Sequence, residues 1–243
     1  MSLTEHLTEL RYRLIRILII LIVGFGICYS QGELIQDVLL APLRDALGSE
    51  GKVVFIGLLD KVLTQFQLAF WSAVIFSSPL WFRELWLFVK PGLYDKEIKL
   101  VLPFIFLGFL LFCSGVAFGY FIVFKYTFET IMNFGVTNIE ATISLKDYIV
   151  LASKVLVFLG ILFQLPNVML IISFIGLVDK KQFSEARRYV IAGFAVLSAM
   201  LTPPDVITMI ALWLPMVVLY EVGVLLVSMI VVPKKKKELE EVS

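Results

Sequence analysis

The sequence has little of what enzymes and metalloproteins use for chemistry. Among its 243 residues there is one histidine, His6, which precedes every apolar segment, and there are two cysteines, Cys28 and Cys113, without the spacing of a disulfide or metal motif. A His-ligated metal site or a Ser-His dyad therefore cannot form inside the apolar part of the chain. The G-x-S-x-G, Walker A and H-E-x-x-H motifs are all missing. We expect no enzyme activity, no cofactor and no metal.

Charge is missing from six long stretches. They cover residues 17–32, 62–82, 100–124, 155–178, 189–204 and 206–220. Hydrophobic residues make up 60% of the chain, above the roughly 45–50% that is usual for a soluble domain. The second, third and fourth stretches reach the ~20 residues that a helix needs to cross a bilayer, and no alternating β-barrel pattern occurs. The sequence predicts an all-α integral membrane protein with six transmembrane helices, of which the last two are short.

The charge-free stretches and their flanks set approximate boundaries within one membrane domain, residues 1–243. We predict spans at 14–32, 62–82, 100–124, 150–178, 189–202 and 206–231. We predict outside loops at 33–61 and 125–149, and cytoplasmic loops at 83–99 and 179–188. The first outside loop has helical periodicity before and after Pro42, which predicts short helices over the outer mouth.

Basic residues indicate the orientation. With a cytoplasmic N-terminus and six spans, 15 of the 21 Lys and Arg residues lie on the cytoplasmic side. The positive-inside rule then predicts that both termini are cytoplasmic. We expect this basic face to meet anionic lipids rather than nucleic acid. A cleaved signal peptide is the competing interpretation of residues 1–30, but Glu5 and Glu9 do not suit its basic leader.

Two carboxylates stand out against these basic flanks. Glu9 lies in an amphipathic segment ahead of the first span, four residues before Arg13, which is a suitable spacing for an ion pair. Glu97 closes the stretch FVKPGLYDKE, residues 88–97, where Pro91 and the glycine after it already supply a turn. The plain interpretation of Glu97 is a carboxylate in the first turn of a helix, favoured by ~0.3–1 kcal/mol. The functional one is a receptor for a cationic group.

Polar residues also occur inside the predicted spans. Gln164, Pro166 and Asn167 lie about ten residues into the fourth charge-free stretch, so their side chains must face protein or water. Either a kinked helix or a binding site fits this pattern. Asp205 is predicted to cap the sixth helix, and Glu221 to face protein or the cytoplasmic interface.

Six motifs occur in a fixed order along most of the chain. They are HLTELRYRL (6–14), APL (41–43), FVKPGLYDKE (88–97), FQLP (163–166), TPPD (202–205) and LYEVGV (219–224). The ordered set resembles the TatC family. The resemblance implies the receptor subunit of the twin-arginine translocase, located in the cytoplasmic (inner) membrane. Such a subunit works with TatA and TatB to export folded proteins, using the proton-motive force.

The resemblance also implies particular site residues. The signal-peptide site falls on Glu9, Arg11, Phe88, Pro91 and Glu97. Further family positions are matched by Pro42, Asp205 and Glu221. The intramembrane groove position is commonly acidic in bacterial members but is Gln164 here, which weakens the case for a titrating carboxylate and leaves hydrogen bonding as its expected role.

Electrostatics and hydrogen-bond geometry explain how such a site would recognise a signal peptide. A pair of arginines would be repelled by a basic face unless local acids met it, and a guanidinium binds a carboxylate bidentately as lysine cannot. We expect Glu97 to receive one arginine, Glu9 to help with the other, and the apolar part of the peptide to enter the groove near Gln164. One alternative is a small-solute secondary transporter with a midplane site at Gln164 and Asn167. Another is a structural membrane scaffold. The sequence leaves self-association open.

Overall fold

The computed structural model describes residues 3–47, 52–89, 101–133, 142–201 and 206–231. Within these ranges the chain is almost entirely helical. The helices are α1 (Leu3–Ser30), α2 (Gly32–Leu47), α3 (Asp60–Phe76), α4 (Ser78–Val89), α5 (Val101–Phe118), α6 (Phe124–Asn133), α7 (Leu145–Leu162), α8 (Leu165–Phe174), α9 (Lys180–Leu201) and α10 (Val206–Leu226). Two π-helical turns, Gly119–Val123 and Val227–Val231, extend α5 and α10.

Four helical segments are long and apolar enough to cross a membrane. They are Thr8–Ser30, Leu102–Thr130, Leu145–Phe174 and Thr208–Val231. The prediction of a helical membrane protein is confirmed at this level. Helices α3, of 17 residues, and α4, of 12 residues, are outside this set. They meet at Ser77, whose hydroxyl donates to the carbonyl of Ala73 at 2.6 Å. Helix α9 is outside it because its first turns are charged.

Helix α2 differs from the prediction of short helices on either side of Pro42. It is one helix of 16 residues with Pro42 inside it. Because proline has no N–H, Pro42 cannot donate to the carbonyl of Val38 one turn earlier. The hydroxyl of Tyr120 donates to that carbonyl instead, at 2.6 Å. A tertiary hydrogen bond thus replaces the helical one, and the helix continues.

The prediction that the last two helices are short is wrong for α10, whose apolar segment Thr208–Val231 has 24 residues; α9 is charged up to Arg188, so its apolar part is short. Helix α9 has 22 residues, and α10 has 21 before its π-helical turn. The charge-free stretches underestimate them because charged side chains continue the helices and find partners there. Lys180 of α9, for example, donates to the hydroxyl of Ser228 at 2.8 Å.

Close packing in the bundle depends on small residues. This is expected in lipid, because lipid tails are as apolar as the side chains and helices therefore associate through close van der Waals contact. A Cβ on Gly115 would lie 2.7 Å from the Leu159 carbonyl oxygen of α7, and one on Gly119 would lie 2.8 Å from Leu159 Cδ1. The GxxxG sequence therefore marks a helix–helix contact. From α7, Gly160 likewise faces Phe112, which is fully buried.

A small parallel sheet joins two segments that are far apart in sequence. Strand β1 (Lys52–Val54) pairs with β2 (Thr142–Ser144), with Lys52 opposite Thr142. Beside it, Lys146 Nζ lies 3.0 Å from Asp60 Oδ1. Tyr148 at the start of α7 donates to the carbonyl of Leu39 in α2 at 2.7 Å. These contacts join the described parts of residues 33–61 and 142–149. We call this region the sheet end of the bundle.

Candidate functional site

Five charged residues gather where α1 passes α4. This α1–α4 charge cluster consists of Glu9, Arg13, Arg16, Arg83 and Glu84. Arg13 NH1 donates to Glu84 Oε2 at 2.8 Å, and its NH2 donates to Glu9 Oε1 at 3.2 Å. Arg83 NH1 donates to Glu84 Oε1 at 3.0 Å, and Arg16 NH1 lies 3.7 Å from Glu84 Oε2. One guanidinium, that of Arg13, is thus shared between two carboxylates.

Glu84 is the buried centre of this cluster, with a side chain only 5% exposed. Burial raises the pKa of the Glu84 carboxyl, but the hydrogen bond from Arg13 and the surrounding guanidinium charges outweigh it, so the pKa lies below its usual value. Glu84 is therefore ionised at neutral pH. Breaking a buried pair of this kind leaves an uncompensated charge, which costs far more than loss of a surface pair.

Local sequence explains how the two helices present these groups. Glu9 and Arg13 are one turn apart on α1, so their side chains lie on the same face. On α4, the indole N–H of Trp81 donates to the carbonyl of Val74 at 2.9 Å across the bend at Ser77. Trp86 then stacks on Phe104 of α5 with ring centroids 5.1 Å apart and planes 2° apart. These contacts hold α4 so that Glu84 points toward α1.

The predicted signal-peptide residues are only partly within the described structure. Glu9 has a side chain 21% exposed and belongs to the charge cluster, whereas Arg11 is exposed. Phe88 is half-buried in the last turn of α4, one turn after Glu84. Pro91 and Glu97 lie outside the described residues. The Arg13–Glu84 pair therefore connects the first predicted segment, at Glu9, with the helix that carries Phe88.

Gln164 lies at a helix break, between α7 and α8. Its Nε2 donates to the carbonyl of Gly108 in α5 at 2.9 Å, and its Oε1 accepts from Asn167 Nδ2 at 3.4 Å. A Cβ at Gly108 would lie 2.8 Å from Asn167 Nδ2, so glycine is what admits the two amides. Asn167 is 3% exposed, and its Oδ1 has no hydrogen-bond partner among the described residues. The polar break thus retains one buried acceptor.

The remaining family-motif positions have separate surroundings. Glu221 of α10 has a side chain 41% exposed and pairs with Arg187 of α9 at two points, 2.7 Å from Nε to Oε1 and 2.8 Å from NH2 to Oε2. Pro42 lines a cavity of about 460 Å³ that α2 forms with α6 and the π-helical turn before it, at the sheet end. Asp205, the predicted cap of α10, lies outside the described residues.

Sequence reasoning missed two of these residues. Glu84 lies in the aromatic run WFRELW, and an acid so close to an apolar stretch is a signal that a partner must exist. Arg187 is one of the basic residues that precede the fifth charge-free stretch, and the sequence gives it no further role. Its role was not readable from sequence, because its partner Glu221 is 34 residues away.

Fold and site together define a helical membrane protein with a partly exposed acid in a charge cluster centred on a buried carboxylate, and with a polar break in one long apolar helix. A family model described as "Sec-independent protein translocase protein (TatC)" matches residues 5–215. The chain belongs to the TatC family.

Relatives and solved structures agree with this assignment. Sec-independent protein translocase protein TatC of Desulforapulum autotrophicum is 42% identical over 238 residues, which cover 98% of this chain and 87% of the relative. The Campylobacter jejuni protein of the same name is 34% identical, over 99% of both chains. A crystal structure titled as the twin-arginine translocase receptor TatC superposes with a TM-score of 0.80 at 28% identity, covering 92% of this chain and 98% of that one. The family is one of protein-translocase components, so the small-solute transporter alternative is set aside.

Proposed function

We propose that this chain is the receptor subunit that binds twin-arginine signal peptides at the cytoplasmic face of the inner membrane. With TatA and TatB it exports folded proteins, driven by the proton-motive force. The observation that carries the proposal is Glu9, a partly exposed carboxylate in a charge cluster centred on the buried Glu84, in a chain of the TatC family. The partners and the membrane are what the family implies for this chain.

Contacts between distant segments support a six-span arrangement with both termini cytoplasmic. Strands β1 and β2 belong to the two predicted outside loops, and strands can pair only on the same side of a membrane. At the other end of α1, the Arg13–Glu84 pair joins the N-terminal segment to the first predicted cytoplasmic loop. The four long apolar helices, together with α9 and with α3 continued into α4 as far as Phe82, make six crossings.

The binding step follows from the charges. Arg13 engages Glu9 through a single oxygen, Oε1. Among the described residues no hydrogen bond involves the other oxygen, Oε2, which can accept from an incoming guanidinium. Glu97 takes the second arginine of the pair. Because a carboxylate accepts two parallel hydrogen bonds from a guanidinium but not from an ammonium group, Arg-Arg is preferred to Lys-Lys.

The apolar part of the signal peptide then passes toward the polar break at Gln164. In lipid, an unpaired polar group gains more from a hydrogen bond than it does in water. The buried Oδ1 of Asn167 is an acceptor for a donor group of the inserted peptide. No change of protonation at Gln164 is needed for this role.

The test is the affinity of a fluorescent twin-arginine peptide for the detergent-purified full chain, compared with a Lys-Lys peptide. We expect Arg-Arg to bind more tightly, and Glu97→Gln or Glu9→Gln to remove the preference, with losses of ~2–5 kcal/mol if the site is desolvated. Glu185→Gln is the matched control, since it removes an exposed acid paired at 3.9 Å with Lys181 in the other predicted cytoplasmic loop. Equal binding of all peptides would contradict the proposal.

A further inference from the structure

The α1–α4 charge cluster contains an intramolecular competitor for Glu9. Arg13 lies one turn from Glu9 and, like an incoming signal-peptide arginine, carries a guanidinium that pairs with carboxylates. Its two terminal nitrogens are divided: NH1 is 2.8 Å from Glu84 Oε2, whereas NH2 is 3.2 Å from Glu9 Oε1. The shorter bond goes to Glu84, and only one of the two terminal nitrogens of Arg13 donates to Glu9.

Burial explains why the division favours Glu84. Its side chain is 5% exposed, against 21% for Glu9. A charge pair is stronger where water is excluded, and a buried carboxylate without a partner is costly. Arg83 and Arg16 also approach Glu84, but their side chains are 62% and 60% exposed, so neither replaces the bond from Arg13.

We propose that Glu84 is a positioning residue for the receptor site, because it holds Arg13 away from a two-point pair with Glu9 and so keeps Glu9 able to bind an arginine of the signal peptide. The inference rests on the proposed function and adds a residue that touches no peptide. It concerns how one acid is kept available, not which acids bind.

Removing the charge of Glu84 has two consequences in the same direction. Arg13 is then free to turn both terminal nitrogens toward Glu9, in the bidentate geometry that guanidinium and carboxylate prefer. In addition, the cluster changes from three guanidiniums against two carboxylates to three against one. Both changes disfavour the arrival of two more positive charges.

The sharpest experiment is a double-mutant cycle on peptide binding by the full chain in detergent. We expect Glu84→Gln to weaken binding of the twin-arginine peptide about tenfold, the effect of losing one unit charge at a distance of roughly 12 Å near a protein surface. We also expect it to lower the preference for Arg-Arg over Lys-Lys. The double variant Arg13→Gln/Glu84→Gln removes the competitor and restores the net charge of the cluster, so its affinity should return to within about twofold of the starting protein.

A purely structural role predicts a different pattern. If Glu84 only fastened α4 to α1, the double variant would bind no better than Glu84→Gln, and that result would overturn the proposal. Unchanged binding by Glu84→Gln would also overturn it. Thermal unfolding of each variant in detergent checks that the compared proteins are folded, and Glu185→Gln serves again as the charge-matched control.

If the proposed receptor function is wrong, the binding measurements give a different result. In that case the unsubstituted protein shows no preference for Arg-Arg, or Glu9→Gln leaves the affinity unchanged. If the preference and the Glu9 effect are present while Glu84→Gln has no effect, only the positioning role is wrong.

Discussion

At the sheet end, distant segments are joined mainly through backbone groups, whereas at the α1–α4 end they are joined by charged side chains. β1 pairs with β2 along the backbone, and two tyrosines, Tyr120 and Tyr148, donate to carbonyl groups of α2. About 30 Å away along α1, the contacts are ion pairs centred on Glu84. Backbone acceptors have fixed positions. A guanidinium shared between two carboxylates has two possible distributions.

The two ends therefore differ in how a charged ligand would interact with them. At the sheet end the strand pairs and the two tyrosine bonds have neutral donors, and the ion pair of Lys146 with Asp60 lies beside them. A charged ligand entering the α1–α4 charge cluster competes with groups of its own kind. Three substitutions or conditions test this contrast.

The largest effect is expected from Arg13→Ala. It leaves the buried Glu84 with only its exposed partners, and we expect a loss of about 2 kcal/mol in the free energy of unfolding, below the ~3–5 kcal/mol for a pair broken completely. Thermal or denaturant unfolding in detergent measures it. Arg16→Ala is the control, because Arg16 lies 3.7 Å from Glu84 and is 60% exposed, and it should cost well under 1 kcal/mol. Equal costs for the two substitutions would mean that burial does not distinguish the pairs.

An intermediate effect is expected at Pro42. Tyr120→Phe removes the donor to the Val38 carbonyl and should cost about 1 kcal/mol, a typical value for one hydrogen bond. Pro42→Ala restores a backbone N–H that can satisfy the same carbonyl. In that background Tyr120→Phe should cost less, with a coupling of about 0.5–1 kcal/mol in a double-mutant cycle. Additive costs would show that Tyr120 does not substitute for the missing N–H.

The smallest effect is the pH dependence at Asp60. The N–H of Gly57, at 2.6 Å, and the ammonium of Lys146 hold the pKa of the Asp60 carboxyl below its usual value. The ionised form is therefore favoured by folding. Its stabilisation is complete above about pH 4, the usual Asp pKa, and is lost as the pH falls through the lower folded-state pKa.

Comparison of melting temperatures across pH checks this prediction. Asp60→Asn should lower the melting temperature at pH 7 and flatten its fall in acid. Asp37→Asn is the control, since Asp37 forms an exposed pair with Arg44 at 3.1 Å. A fall in acid that is equally steep with and without Asp60 would contradict the assignment.

Much of the fold was predictable because each long helix satisfies its own backbone and has to be apolar where it meets lipid. The charge-free stretches therefore located the helical membrane domain. The charged first turns of α9, which begins at Lys180, were not predictable in the same way. Charged residues continue α9 and α10, and some of them find partners on another element, such as Ser228 for Lys180 and Glu221 for Arg187.

The residues of the site can also be divided into those that the sequence indicated and those that only the tertiary structure brought together. By itself the sequence determined that the chain is a helical membrane protein of the TatC type, and it singled out Glu9 as an acid among basic flanks. Only the tertiary structure decided that Arg13 is shared between Glu9 and Glu84, and that Tyr120 completes the hydrogen bonding of α2 at Pro42. The physical reason is the separation along the sequence over which each kind of interaction acts. Apolar periodicity and helical spacing act within a few turns of one segment, whereas these bonds join residues 71 and 82 positions apart, which only folding brings together.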